Sequence, residues 1–292
     1  MKFFPTINAA VATCILTRFD GVMAETSQES NEPQWAYHSH DNRMINWDRW
    51  AEVWPSCGGD RQSPINIVSR DVIVAESRLP LAFSGICPDF NLSAPHEPLE
   101  ADVHEGSCEV SVNSTVFKLT QFHLHAPAEH TIDGVQKNGE IHFVHRANDS
   151  DALLVVGIIL EISPVSDPWL NPLLDALEHV NSTVPSESVI VQLSSYANLI
   201  KTAFEIGGAY NYPGSLTTPG CEETVDWWVI KSPIMISVID YDRLHTDLLE
   251  YEITNNGNNA RPVQPLQGRT VLYYTPTAFG LDMYPTPKQN IV

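Results

Sequence analysis

The stretch QFHLHAPAEH, residues 121–130, gathers three histidines, a glutamate and a glutamine among apolar and β-prone neighbours. Side chains on a strand alternate faces. Gln121, His123 and His125 therefore point one way, and Phe122 and Leu124 point the other way, toward a core. On a helix the same His-x-His spacing would splay the rings apart by about 200°. Neighbours on one strand face lie about 6.5–7 Å apart, so two inclined imidazoles can share a metal at about 2.0–2.1 Å. A second segment, GEIHFVHR (139–146), repeats the arrangement. Glu140, His142 and Val144 share one face; Ile141, Phe143 and His145 take the other. In each segment a carbonyl-bearing side chain stands two residues before a histidine: Gln121 before His123, Glu140 before His142. Such a group accepts the second ring N–H and fixes the tautomer. A surface cluster or a core hydrogen-bond network accounts for one such strand, and less well for two with the same partner at the same offset. Three neutral imidazoles on adjacent strands suit Zn2+ with an open fourth position, the pattern of catalytic sites. His130 and His145 fall off that face and read as structural.

The elements that must carry these residues are mostly strands. SPINIV (63–68), EVSVNSTVFKLTQFHLH (109–125), GEIHFVHR (139–146), ALLVVGIILEIS (152–163) and WWVIKSPIMIS (227–237) are short and rich in β-branched and aromatic residues. Two segments read as helices. In DPWLNPLLDALEHV, Leu170, Leu173, Leu174 and Leu177 share a helical face. In DYDRLHTDLLEYE (240–252), Leu244 and Leu248 do the same, with Asp240 as N-cap. The expected fold is mainly β, of the α+β type. One domain over residues 35–272 would hold a large, mostly antiparallel, twisted central sheet with short peripheral helices. Residues 273–292 read as an irregular, proline-containing tail.

The chain as a whole sets limits on partners. Its 292 residues suffice for one large domain, and its net charge is −20. That charge argues against nucleic-acid binding and against docking on an anionic membrane. Lys2, the apolar run from Ile7 to Leu16, and Val22 and Ala24 before Glu25 resemble a secretory leader over residues 1–24. Residues 25–34 are polar and read as a disordered linker. The leader's apolar run is too short to span a bilayer, and no later segment is long enough. Outside the leader, Cys57, Cys87, Cys108 and Cys221 remain, with three possible pairings into two disulfides. Export would favour such pairing. Asn91, Asn113, Asn148 and Asn181 begin Asn-x-Ser/Thr triplets that a eukaryotic secretory route can glycosylate.

At this point the chain resembles the α-class carbonic anhydrases. QFHLHAPAEHTIDG is similar to that family's signature around its first two zinc histidines, and EIHFVH to the segment with the third. YPGSLTTPG (212–220) resembles the loop carrying the family's hydroxide-orienting threonine. RQSPINI (61–67) and RPVQPLQGR (261–269) match two further blocks in the same order. The resemblance runs from about Trp35 to Val271. It implies the α-carbonic anhydrase fold and reversible hydration of CO2 to bicarbonate by a zinc-bound hydroxide. His123, His125 and His142 match the zinc ligands, and Gln121 and Glu140 their partners. Glu129 and Thr217 match the pair that orients the hydroxide. Thr218 and the Thr217 N–H would line the bicarbonate site. Val144, Val155, Leu216 and Trp227 match the apolar wall that receives CO2, and Tyr37 and Tyr212 match further pocket residues. His96, in SAPHEPLEADV, falls near the proton-shuttle position, with His104 as its competitor.

Only Ala-Pro-Ala separates His125 from Glu129, where animal members carry a longer loop; the short form resembles bacterial, plant and algal members. The resemblance pairs Cys57 with Cys221, as in exported members, and leaves Cys87 and Cys108 to each other. It implies sensitivity to sulfonamide-type inhibitors and leaves a homodimer open. It points to a secreted, periplasmic or organelle-lumen location. Two other functions compete: a zinc-free binding module on the same fold, and a zinc-hydroxide esterase. No HExxH or GxSxG occurs, so a zincin protease or a nucleophile-elbow esterase lacks its marks.

Overall fold

The computed structural model describes residues 34–76, 80–93, 99–180 and 187–276. The expectations for the leader, for residues 25–33, for His96, for Asn181 and for residues 277–292 lie outside the described residues.

Ten strands form one sheet: β1 (Ile73–Val74), β2 (Ala82–Ser93), β3 (Glu100–Val112), β4 (Thr115–His125), β5 (Gly139–Ala147), β6 (Leu153–Ser163), β7 (Val189–Gln192), β8 (Ala209–Gly214), β9 (Val225–Ser237) and β10 (Leu272–Tyr274). Their spatial order is β7-β2-β3-β4-β5-β6-β9-β8-β10-β1. Only β6–β9 and β10–β1 pair in parallel. The mostly antiparallel sheet expected from the strand signals is present.

Both faces of the sheet's centre are buried, which explains the nearly unbroken apolar run of β6. Phe122, Leu124, Ile141, Phe143, Val156 and Trp228 enter the larger core. Three helices cover that core: α1 (Asn171–Leu177), α2 (Tyr196–Gly207) and α3 (Val238–Leu248). Alternate residues of the same strands, Val144, Val155 and Trp227, enter a second cluster on the opposite face with Ile65, Tyr210 and Tyr212. This second face carries the histidines of β4 and His142.

Three local expectations need correction. The run 109–125 is not one strand but the end of β3, a two-residue turn and β4. Asn113 and Ser114 both have positive φ, 48° and 70°, and Val112 pairs with Thr115 across a two-residue turn. Asparagine tolerates that conformation better than most residues, so the turn has a local cause. The segment 63–68 contributes only Asn66–Ile67 to a separate small sheet. The last helix starts at Val238, and its cap is Ser237, whose Oγ accepts the Asp240 N–H at 3.1 Å. Asp240 occupies the first turn instead, where a carboxylate favours the helix dipole. Helix α2 was not anticipated. Its buried residues Tyr196, Leu199, Ile200, Ala203 and Phe204 fall at the spacing of one helical face.

Candidate metal centre and active site

Strand register builds the centre. On the β4–β5 ladder His123 lies opposite His142, Glu140 opposite His125, and Val144 opposite Gln121. The ring centroids of His123, His125 and His142 stand 4.9, 5.2 and 4.6 Å apart. One nitrogen from each ring lies within 4.8 Å of the others, and all three side chains are buried.

The outward-facing nitrogens show what the inward ones can do. His125 Nδ1 is 2.7 Å from the Asn259 carbonyl, which can only accept, so Nδ1 carries the proton. His125 Nε2 is then a bare lone pair, fully buried and without a hydrogen-bond partner. His123 Nδ1 is 2.9 Å from Gln121 Oε1. His142 Nε2 is 3.0 Å from Glu140 Oε1, although the N–H is poorly aimed for a hydrogen bond. Burial, reinforced by His125, holds the His123 ring well below the usual imidazole range; burial first, then the neighbouring rings, does the same for His142. Both are neutral donors at pH 7. Burial alone would raise the Glu140 carboxyl, but the His130 and His142 rings beside it outweigh that and hold it low. Three buried ring nitrogens drawn to within 4.8 Å of one another fit a zinc ion.

Glu129 is fully buried beside the rings. Its Oε1 accepts the Arg261 N–H at 2.7 Å, and its Oε2 lies 3.6 Å from His125 Nε2 and 3.9 Å from His142 Nδ1.

The family model of eukaryotic-type carbonic anhydrases matches residues 45–275. The chain belongs to the carbonic anhydrase family. Carbonic anhydrase 7 of Homo sapiens is 32% identical over 263 residues, covering 81% of this chain and 96% of that protein. Carbonic anhydrase 6 of Mus musculus is 27% identical over 259 residues, covering 81% of this chain and 80% of that protein. Among solved structures, the α-carbonic anhydrase of Photobacterium profundum superposes with a TM-score of 0.66 at 30% identity, covering 82% of this chain and all (100%) of that one. That of Thermovibrio ammonificans, solved with the inhibitor sulfanilamide, gives 0.67 at 28% identity, covering 82% and 99%. Dioscorin complexed with ascorbate gives 0.67 at 25%, covering 83% and 98%.

The carbonic anhydrase fold sets the apolar residues in one row across the sheet: Val144 opposite Val155, Val155 opposite Trp227, Trp227 opposite Tyr212. Leu216 packs on the same cluster. The Trp227 ring lies 4.8 Å from the His142 ring, so the row abuts the three-histidine cluster. Thr217 is buried and Thr218 half-buried on the segment after β8. Leu216 N–H donates to the Glu222 carbonyl at 3.1 Å and Cys221 N–H to the Thr218 carbonyl at 2.8 Å, closing that segment into a loop. A disulfide joins Cys57 to Cys221, and a second joins Cys87 to Cys108. Tyr37 packs with Trp35 and Trp50.

By strand counting His130 falls off the face that carries the three rings and reads as structural. It is in fact tied to the centre. Its Nδ1 is 2.8 Å from Glu140 Oε1 and its Nε2 2.7 Å from the Tyr212 hydroxyl. Tyr212 reaches Ser63 Oγ at 2.9 Å, and Ser63 Oγ accepts the Ser215 N–H at 3.1 Å. A continuous buried chain therefore runs from the support of His142 to the residue two before Thr217. Asn259 was also missed. It lies far along the sequence and acts through a backbone carbonyl, which no side-chain pattern reveals.

Proposed function

We propose that this chain catalyses the reversible hydration of CO2 to bicarbonate and a proton. The reading rests on three buried imidazoles whose partners leave a lone pair converging from each, beside an apolar row that can hold a nonpolar gas. Zinc held by His123, His125 and His142 would lower the pKa of a water at its open position to about 7, the established figure for carbonic anhydrase zinc, and so supply a nucleophile at neutral pH.

The remaining steps belong to the protein. Thr217 Oγ donates its proton to Glu129, so it can only accept a hydrogen bond from the attacking water. That leaves the oxygen lone pair aimed at the substrate carbon. Glu129 stays an acceptor because the Arg261 N–H occupies its other oxygen. Val144, Val155, Leu216 and Trp227 exclude water from the side on which CO2 rests. Thr218 and the Thr217 N–H bind the product anion. His96 carries the released proton to buffer, since an imidazole with a pKa near 6.5 both accepts and releases near neutrality. Tyr37 and Tyr212 complete the pocket and its water network, and Gln121 and Glu140 orient the ligand rings.

Stopped-flow CO2 hydration with and without a chelator tests the reading. Activity that a chelator abolishes and zinc restores is the expected result. His123→Ala should lose both zinc and activity; full activity in that variant would remove the ligand assignment. Sulfonamide inhibition, suggested by the sulfanilamide complex of the Thermovibrio enzyme, should follow zinc occupancy. The likeness to dioscorin, solved with ascorbate, keeps a zinc-free binding module as the second reading. Purified protein that holds no zinc and leaves CO2 hydration unaccelerated would favour it.

We also propose one catalytic domain over residues 35–272, behind a cleaved leader, in an exported protein. The two disulfides support export, because such bonds persist in oxidising compartments.

A further inference from the structure

His123 differs from its two partners in how its ring is held. His125 is fixed by a backbone carbonyl and His142 faces a carboxylate, and neither group can donate. His123 is held by an amide. The two ends of the Gln121 side chain are nearly equal in shape, yet one accepts and the other donates. Turned by half a rotation, Gln121 would offer N–H to His123 Nδ1. The ring would then carry its proton on Nε2, pointing into the metal position, where it could not ligate.

A carboxylate one step further out decides the orientation. Glu100 opens β3 directly opposite His123 on β4. Glu100 Oε2 lies 3.1 Å from Gln121 Nε2. A carboxylate only accepts, so it selects the Gln121 rotamer with the NH2 toward itself and the carbonyl toward His123. The residue before it, Leu99, is fully buried in the larger core and has a φ of 63°, a conformation that costs a non-glycine residue. The start of β3, and with it the position of Glu100, is thereby pinned to the core.

We infer that Glu100 is a positioning residue: through the Gln121 amide it fixes the His123 tautomer and so readies the ring for metal. The inference rests on the three-histidine zinc reading. It goes beyond that reading by adding a residue that acts on the ligand ring through the Gln121 amide.

The test uses the full chain and two readouts. In the first, zinc-loaded wild type, Glu100→Ala, Glu100→Gln, Asp102→Asn, Gln121→Ala and the Glu100→Ala/Gln121→Ala double variant are mixed with excess dipicolinate, and zinc release is timed. Loss of a ligand's direct partner typically costs 10–100-fold in metal affinity. Glu100 acts one bond further out, so Glu100→Ala should release zinc about 3–10-fold faster. Glu100→Gln, which can still accept, should fall between. Asp102→Asn, opposite Gln121 in register, should match wild type. In the Gln121→Ala background Glu100→Ala should add nothing, because the link is already cut. The second readout is the 15N spectrum of the His123 ring in metal-free protein. Wild type should show the Nδ1–H form alone and Glu100→Ala a mixture. A wild type that takes up no zinc would sink the metal reading, and the ring spectrum would still decide this proposal. Unchanged release and an unchanged tautomer in Glu100→Ala would overturn it, as would an equal effect of Glu100→Ala with and without Gln121.

Discussion

Each ring nitrogen at the centre is assigned by what stands behind it, and that support is packed tightly enough to be vulnerable. Glu140 shows this most clearly. Its Oε2 accepts the Glu129 and His130 N–H groups at 3.0 and 2.8 Å, and its Oε1 faces both histidine rings. The carboxylate has nowhere to go. Gly157, opposite His142 on β6, leaves it room. A methyl group there would sit 2.6 Å from Glu140 Oε1 and 3.6 Å from His142 Cδ2. Gly157→Ala should therefore displace the carboxylate, costing about 1–3 kcal/mol of stability as overpacking does and speeding zinc loss. Urea unfolding and metal content after dialysis check both effects. A variant of wild-type stability that keeps its zinc would show that the centre has slack.

At the scale of elements, strand β5 presents two histidines to two environments. His142 faces the metal position, and His145, on the other face, is fully buried in the larger core's side of the sheet. His145 Nδ1 is 3.1 Å from the Leu154 carbonyl and its Nε2 3.1 Å from the Tyr196 hydroxyl. Burial pushes its pKa down from 6.5 to about 4. Between those values the folded ring binds fewer protons than the unfolded one. Stability must therefore rise with pH across the window and fall on acidification. Wild type should lose about 2 kcal/mol more than His145→Gln between pH 7.5 and pH 5, measured by urea unfolding. Equal losses would mean that the ring titrates normally. A second element-scale test is the cap of α3: Ser237→Ala should cost about 1 kcal/mol by removing the acceptor for the Asp240 N–H. The alternation of β4 and β5 was legible because period 2 assigns a face to every residue, and the structure keeps the assignment: Phe122 and Phe143 in one core, His123 and His142 on the other face. The hairpin turn at Asn113 was hidden inside a longer β-prone run. His130 and Asn259 were hidden because they join the centre through tertiary contact, where no periodicity reaches.

For the whole molecule, the question is what keeps the Thr217 loop against a sheet built from distant parts of the chain. Among the described residues no helix is long and apolar enough to cross a membrane. The loop is tied by the Cys57–Cys221 disulfide and by the segment 57–63: Ser63 Oγ accepts the Ser215 N–H, and Gln62 Nε2 donates to the Cys221 carbonyl. Arg261 braces that segment. Burial lowers the Arg261 guanidinium to about 10, where it stays charged at neutral pH. It donates to Gln62 Oε1 and to the Ser63 and Cys57 carbonyls, while its backbone N–H holds Glu129. Cys57–Cys221 closes 164 residues, whereas Cys87–Cys108 closes only 21 within the β2–β3 hairpin. Chain entropy then gives about 5 kcal/mol for the first and about 3 kcal/mol for the second. Replacing Cys57 and Cys221 together by serine should lower stability by about 2 kcal/mol more than replacing Cys87 and Cys108. The two pairs should also differ in kind. The first replacement frees the segment that follows Thr218 and should reduce CO2 hydration even where the protein remains folded. The second lies on the hairpin that ends beside Glu100 and should leave the rate per bound zinc intact. Thermal melts together with stopped-flow rates normalised to zinc content decide the matter. Equal rates per zinc in both variants would show that the contacts of Ser63 and Gln62 hold the loop without help from the disulfide.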